Sequence, residues 1–347
     1  MLTETAEKQK QQNMTFSNSS TNARQRVFET VGQMVGPCPL ESTVIIAGTG
    51  RSGSTWLAEI LRGLRGYKYL NEPFMDTPLR RRTYFHPDKQ IVGDVLAYVR
   101  RALTGQIWRS WKWRFEAETS VGMLYEFVSQ RKVVAKFTRA LRMIRWMNRH
   151  FEVRGTILLI RHPCAVIRSM LQHRGGWNES HLENLGDSTV DRVFGRNLPT
   201  SVRHRFADAV SAADRREEVL AHLWALDYHM AFFGGEDSIH PWVLVPYERL
   251  LTQKTDELKR IVEALGVDLT EAARRRLGVA SSSASPDVET AEVEQQLTKW
   301  QDDLTDEQVK RILSIIRTYG LDMYADTAEP DYARLNDLQN QAFAWSN

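Results

Sequence analysis

The chain has 347 residues, 42% hydrophobic and 26% charged, with 20 Gly and 11 Pro, the usage of an ordinary globular protein. That composition excludes collagen-like repeats, coiled-coil rods and wholesale disorder. Its 46 basic and 43 acidic side chains leave a net charge of only +3. A general polyanion or nucleic-acid binder is thereby disfavoured, and any anion site has to be local.

Residues 1–40 read as a polar tail and a short helix, closed by Gly36-Pro-Cys-Pro39. The tail lacks the apolar segment of a signal peptide, and no stretch approaches the ~20 apolar residues of a membrane span. A soluble, cytoplasmic protein without a membrane partner is expected. Cys38 and Cys164 suit neither a disulfide framework nor a metal spacing; they read as small hydrophobes in a reducing compartment.

A single domain over residues 41–325 is expected, with 326–347 as a C-terminal extension. Thr43-Val-Ile-Ile46 predicts a strand, and Thr55 to Leu64 a helix with Leu57, Ile60, Leu61 and Leu64 at helical spacing. Val133–Phe137, Thr156–Ile160 and Trp242–Val245 are further strand-like runs; Leu141–His150 and Ala165–Gln172 read as helices after the first two. Continuous apolar strands alternating with helices predict an α/β fold whose parallel sheet is covered on both faces. Residues 172–207 read as a mobile lid, and Ser281-Ser-Ser-Ala-Ser-Pro286 as a flexible segment. Between and after these come a helix over Thr255–Leu265 and one opening at a capping box, Thr305-x-x-Gln308, with Gly320 at its end.

Gly48-Thr-Gly-Arg-Ser-Gly-Ser-Thr55 is the most informative segment. A strand entering a glycine turn and then a helix N-terminus gathers backbone N–H groups and the positive end of a helix dipole. Gly48 and Gly53 have the spacing of G-x-x-x-x-G-K-[ST], but Ser54 stands where that motif has lysine, and the cation is Arg51. The loop suits a phosphate-like anion without the charge pattern of a nucleoside-triphosphatase. A second anion signal is Arg161-His-Pro-Cys-Ala-Val-Ile-Arg-Ser169. A helix starting near Pro163 places Ser169 about two turns along it, so Arg161 and Ser169 are candidates to grip one phosphate.

Gly50-Arg-Ser-Gly-Ser-Thr-Trp56 is similar to the 5′-phosphosulfate loop of sulfotransferases that use 3′-phosphoadenosine-5′-phosphosulfate (PAPS), and Ile160 to Ser169 resembles their 3′-phosphate motif. Asn71-Glu-Pro-Phe74, Val245-Pro-Tyr-Glu-Arg-Leu250 and Trp300-Gln-Asp-Asp-Leu304 resemble further segments found in the same order. The resemblance spans roughly Ser42 to Tyr324 and leans toward the carbohydrate and bacterial branches. It implies a central parallel sheet of P-loop-NTPase-like topology flanked by helices, PAPS as donor, no required metal, and in-line transfer of a sulfuryl group to a hydroxyl or amine of a carbohydrate or small molecule. A homo-oligomer is compatible with it.

Under that resemblance Glu72 is the candidate general base, with His86 and His173 in reserve, and Arg51 and Lys136 stabilise the leaving 5′-phosphate. Arg51, Ser52, Gly53, Ser54 and Thr55 form the donor loop, Arg161 and Ser169 the 3′-phosphate site, and Trp56 and Tyr247 the adenine site. Trp56 reads equally as a core residue, and Lys136 as a surface lysine. Ile107-Trp-Arg-Ser-Trp-Lys-Trp-Arg114 interleaves tryptophans and cations, which suits either an acceptor groove or a helix with inward indoles. The alternatives are a P-loop kinase or nucleoside-triphosphatase, opposed by Ser54, and a noncatalytic nucleotide-binding protein.

Overall fold

The computed structural model describes residues 25–75, 77, 79, 93–172, 187–234, 242–283 and 292–343. Among the described residues six strands form one sheet: β1 (Val44–Ala47), β2 (Tyr67–Asn71), β3 (Trp113–Arg114), β4 (Lys132–Phe137), β5 (Gly155–Ile160) and β6 (Val243–Pro246). Their order is β3-β2-β4-β1-β5-β6. All neighbours are parallel except β2 and β3. The sheet is thus parallel as expected, with one antiparallel strand at its edge.

Helix α1 (25–35) precedes β1 and α2 (Ser54–Arg62) follows it. Then come α3 (Gly93–Leu103), α4 (Ser120–Ser129), α5 (Ile144–His150), α6 (Pro163–Gln172), α7 (Asp187–Phe194), α8 (Thr200–Ser211) and α9 (Arg216–Phe233). After β6 come the helices α10 (Tyr247–Thr252), α11 (Lys254–Ala264), α12 (Glu271–Arg276), α13 (Val293–Asp303), α14 (Asp306–Thr318) and α15 (Tyr332–Phe343).

The strand period explains the two-layered core. Alternate side chains of β1 leave by opposite faces: Val44 and Ile46 join Leu57, Ile60 and Leu61 of α2, while Ile45 and Ala47 join the α5 and α9 side. Both faces are covered, which is why the strand reads as an unbroken apolar run. Leu335, Leu338 and Ala342 of α15 and Phe28 of α1 pack into the larger core as well. Both halves of the Thr305/Gln308 capping box are formed, and Gly320 follows α14 at φ +77°.

Two strands escaped the sequence reading. In β2 a lysine interrupts the apolar pattern, yet Lys68 is buried, donating to the Phe127 carbonyl at 2.9 Å with its ammonium 4.0 Å from the Phe127 ring. Burial lowers its pKa to about 8. β3 is two residues long and carries no periodicity at all. The reading of 172–207 as a lid needs correction where it is described. Residues 187–194 and 200–207 are helical, and Val193, Phe194, Leu198 and Phe206 lie in the core, while residues 173–186 lie outside the described residues. Arg142 fastens the end of α7 through the Val193 and Phe194 carbonyls, held by a buried ion pair to Asp227 at 2.7 Å. That grip depends on contacts distant in sequence, invisible to local pattern.

Candidate active site

All five parallel strands deliver a candidate residue at their carboxyl ends, the side of an open α/β sheet where ligands bind. β1 runs into the glycine loop, β2 into Glu72, β5 into Arg161 and β6 into Tyr247, while Lys136 is the penultimate residue of β4.

The loop has the shape an anion cradle requires. Gly48 lies against β5: a Cβ there would stand 2.8 Å from the Leu159 carbonyl oxygen. Arg51 and Gly53 both have positive φ, 68° and 91°, the second as N-cap of α2. A non-glycine residue in that region is strained and is held by its surroundings. Among the described residues the buried hydroxyls of Thr49 and Ser52 have no hydrogen-bond partner. Burial, then the nearby Arg161 charge, pulls the Arg51 guanidinium below its ordinary value, though an arginine remains charged at neutral pH.

The two anion motifs meet. Arg51 Nε donates to Ser169 Oγ at 3.0 Å, and Arg161 donates to the Arg51 carbonyl at 3.2 Å. Ser169, expected beside Arg161, is thus bonded to the loop cation, and all three residues line one cavity. The Arg161 guanidinium rests on the Tyr247 ring, 4.1 Å from its centre. Tyr247 in turn requires Gly53, where a Cβ would fall 2.5 Å from the ring.

Lys136, backed by Glu72, forms another wall. Lys136 Nζ is 3.2 Å from Glu72 Oε1, with side-chain exposures of 7% and 12%, and it donates to Thr55 Oγ1 at 3.2 Å. Lys136 is accordingly no surface lysine. The Thr138 N–H donates to both Glu72 carboxylate oxygens at 3.1 Å. Glu72 sits at φ +47°, fixed by its own N–H to the Lys136 carbonyl and by Lys112 Nζ, which donates to the Glu72 carbonyl at 2.8 Å. Lys112 was not foreseen as part of this wall; it lies in the tryptophan-rich run, whose pattern gave no hint of its direction.

Between these walls is a cavity of about 530 Å³ lined by Arg51, Ser54, Thr55, Trp56, Lys136, Arg139, Arg161, Ser169, Tyr247 and Lys254, among others. Cations dominate the lining, concentrating positive potential that the +3 net charge conceals. Trp56 combines its two readings: it is buried at 8% exposure yet lines the cavity, edge-on to Tyr247 at 6.2 Å. Its indole N–H donates to the Val279 carbonyl at 3.0 Å. Ser282 is fastened to Glu59 of α2 through its N–H and hydroxyl. Residues 281–283 of the expected flexible segment are therefore anchored beside the cavity; residues 284–286 lie outside the described residues. Arg168 lines the rim and pairs with Asp303.

The model of the sulfotransferase family matches residues 43–271. The chain belongs to that family. Solved structures similar to it include three sulfotransferases. The sulfotransferase domains of the Synechococcus PCC 7002 olefin synthase and of the curacin biosynthetic pathway are each 16% identical with TM-scores of 0.41. The first alignment covers 80% of this chain and 94% of that one, the second 79% and 96%. Sulfotransferase STF1 of Mycobacterium tuberculosis H37Rv is 13% identical with a TM-score of 0.34, over 79% of each chain. No match was found among curated protein sequences.

Ile107–Arg114 resolves into mixed roles. Trp113 is buried and Trp108 packs against the core, while Trp111 is 51% exposed. His86 and His173 lie outside the described residues. Among the described residues no helix is long and apolar enough to cross a membrane.

Proposed function

We propose that this chain transfers a sulfuryl group from PAPS to a hydroxyl or amine of a carbohydrate or small-molecule acceptor. The observation that carries this reading is one cavity lined by the glycine loop cation Arg51, by Arg161 and Ser169, and by Lys136, whose ammonium pairs with Glu72. Two basic motifs that line one cavity suit a nucleotide phosphorylated at both 3′ and 5′ positions.

In this reading the 5′-phosphosulfate lies on the loop N–H groups and the N-terminus of α2, where the dipole and Arg51 favour negative charge. Arg161 and Ser169 take the 3′-phosphate, and adenine lies against Trp56 and Tyr247. Transfer breaks the bond from sulfur to the bridging oxygen and forms one to the acceptor oxygen or nitrogen. Charge developing on the leaving 5′-phosphate is met by Arg51 and Lys136, which are already in place and need little reorganisation. Glu72 takes the acceptor's proton as the new bond forms, and its fixed backbone sets the direction from which the acceptor approaches. The acceptor is dissolved in the cytoplasm in this reading, with neither membrane nor nucleic acid as partner; the buried free thiols of Cys38 and Cys164 are in keeping with a reducing compartment.

Titration with adenosine 3′,5′-bisphosphate and with ATP–Mg²⁺ tests the donor. Tighter binding of the bisphosphate is expected; preference for ATP–Mg²⁺ would replace this reading by that of a P-loop kinase. A mass-spectrometric screen of hydroxylated and amino acceptors with PAPS tests the reaction, and binding without transfer to any acceptor would favour a noncatalytic role.

A further inference from the structure

Arg161 is held at both ends by consecutive residues at the start of α10. Tyr247 offers its ring to the guanidinium, an attraction between cation and π-face. Glu248 holds the backbone: its Oε1 accepts the His162 N–H at 2.7 Å, the peptide group that follows Arg161. Its other oxygen accepts the Tyr324 hydroxyl at 3.3 Å.

The Glu248 carboxyl is 1% exposed and has no ion-pair partner among the described residues. Burying a carboxyl without a cation is costly unless its hydrogen bonds are well made. Here they converge on one turn. His162 caps α6 through Nδ1, which accepts the Cys164 N–H at 3.2 Å. Its Nε2 therefore carries the proton and donates to the Ala325 carbonyl at 2.9 Å, and its ring stacks on Trp300 at 4.4 Å and 14°. The residue after Arg161 is thus fixed by ring and backbone, and Glu248 supplies the backbone contact. Without it a buried N–H at the β5–α6 turn has no acceptor, and the turn must rotate to find one.

We propose that Glu248 is a positioning residue that, by holding the His162 N–H, sets the Arg161 backbone in the orientation from which the guanidinium meets the 3′-phosphate, and so sets the preference for a 3′-phosphorylated nucleotide. The inference rests on the reading of Arg161 as a 3′-phosphate ligand. It distinguishes bond from charge, since loss of a negative charge near Arg161 would by itself strengthen anion binding.

The test compares affinities for adenosine 3′,5′-bisphosphate and for 5′-AMP, by calorimetric titration, in the wild type and in Glu248→Ala, Glu248→Asp and Glu248→Gln, with circular dichroism melts as a check on folding. Asp keeps the charge but is one carbon too short to reach His162, whereas the Gln Oε1 accepts the same N–H. Ala and Asp are expected to lower the preference for the bisphosphate about tenfold or more, the loss of a bond to a charged group. Binding of 5′-AMP changes little, and Gln retains the preference within about threefold. If the Ala variant fails to fold, Asp and Gln decide. A wild type that shows no preference for the bisphosphate overturns the reading of Arg161 itself. A wild-type preference carried unchanged into Glu248→Asp, an equal loss toward both nucleotides, or a loss in Gln matching that in Asp overturns the role of Glu248 and leaves the reading of Arg161 standing.

Discussion

The ammonium of Lys136 lies 3.2 Å from Oε1 of Glu72, joining the two residues proposed for leaving-group stabilisation and proton removal in one nearly buried ion pair. The same ammonium reaches Thr55 of the donor loop. One cation therefore links the carboxylate proposed to take the acceptor's proton to the loop proposed to hold the donor.

Replacing Glu72 by Gln preserves volume and a hydrogen-bond acceptor for the Thr138 N–H while removing the base. Turnover is expected to fall at least about a hundredfold, the scale of general base catalysis, with little change in affinity for adenosine 3′,5′-bisphosphate. Steady-state transfer rates and calorimetric titration check this, and near-wild-type turnover removes Glu72 from the role.

Lys136→Met strips the partner from a mostly buried carboxylate, a change expected to destabilise the fold by about 3 kcal/mol. Adding Glu72→Gln should recover part of that loss, because the unpaired charge is then gone. Denaturant unfolding of both single variants and the double variant reads the coupling. Strictly additive losses would show that the ion pair contributes nothing to stability.

Gly53→Ala places a Cβ 2.5 Å from the Tyr247 ring at a residue with φ +91°. Strain of that kind is on the order of 1–3 kcal/mol. Moving Tyr247 also disturbs the guanidinium of Arg161, so affinity for the bisphosphate should fall with stability. Unchanged affinity in a folded variant would uncouple the loop from the Arg161 side.

Acid should destabilise the protein. Burial pulls His162 and His222 down to about 4 and lowers His229 as well, against an ordinary value near 6.5. Between about pH 6.5 and 4 the unfolded chain binds protons at these histidines that the folded chain does not, so stability falls as pH falls through that window. Glu248, pushed up to about 7 by burial, acts with the opposite sign, since its folded carboxyl keeps a proton that the unfolded one releases. The histidines outnumber it. Melting temperatures across that range should drop toward acid, more steeply in Glu248→Gln, and a flat or rising series would contradict the assignment.

Much of the site was legible because it is local. Gly48 to Thr55 encodes strand, turn and helix start within eight residues, and Arg161, Pro163 and Ser169 encode a strand end and the helix that follows. Continuous apolar strands announced a sheet covered on both faces. Lys136 remained ambiguous because a lysine ending an apolar strand looks the same whether it turns outward or toward a carboxylate. The roles of Glu248, Lys112 and Glu59 were not legible, even with Glu248 inside the Val245–Leu250 segment, since each acts on a backbone group 40 or more positions away.

Composition and motifs alone determined that this nearly neutral chain has a glycine loop and a second basic motif at strand ends of a parallel α/β sheet, because glycine spacing, strand apolarity and helix starts are written in neighbouring residues. Only the tertiary structure decided how the cations are shared. Arg51 bonds Ser169, Lys136 pairs with Glu72, and Tyr247 and Glu248 hold Arg161. Those partners come together because parallel strands deliver their carboxyl ends to one edge of the sheet, a juxtaposition that the order of residues along the chain does not express.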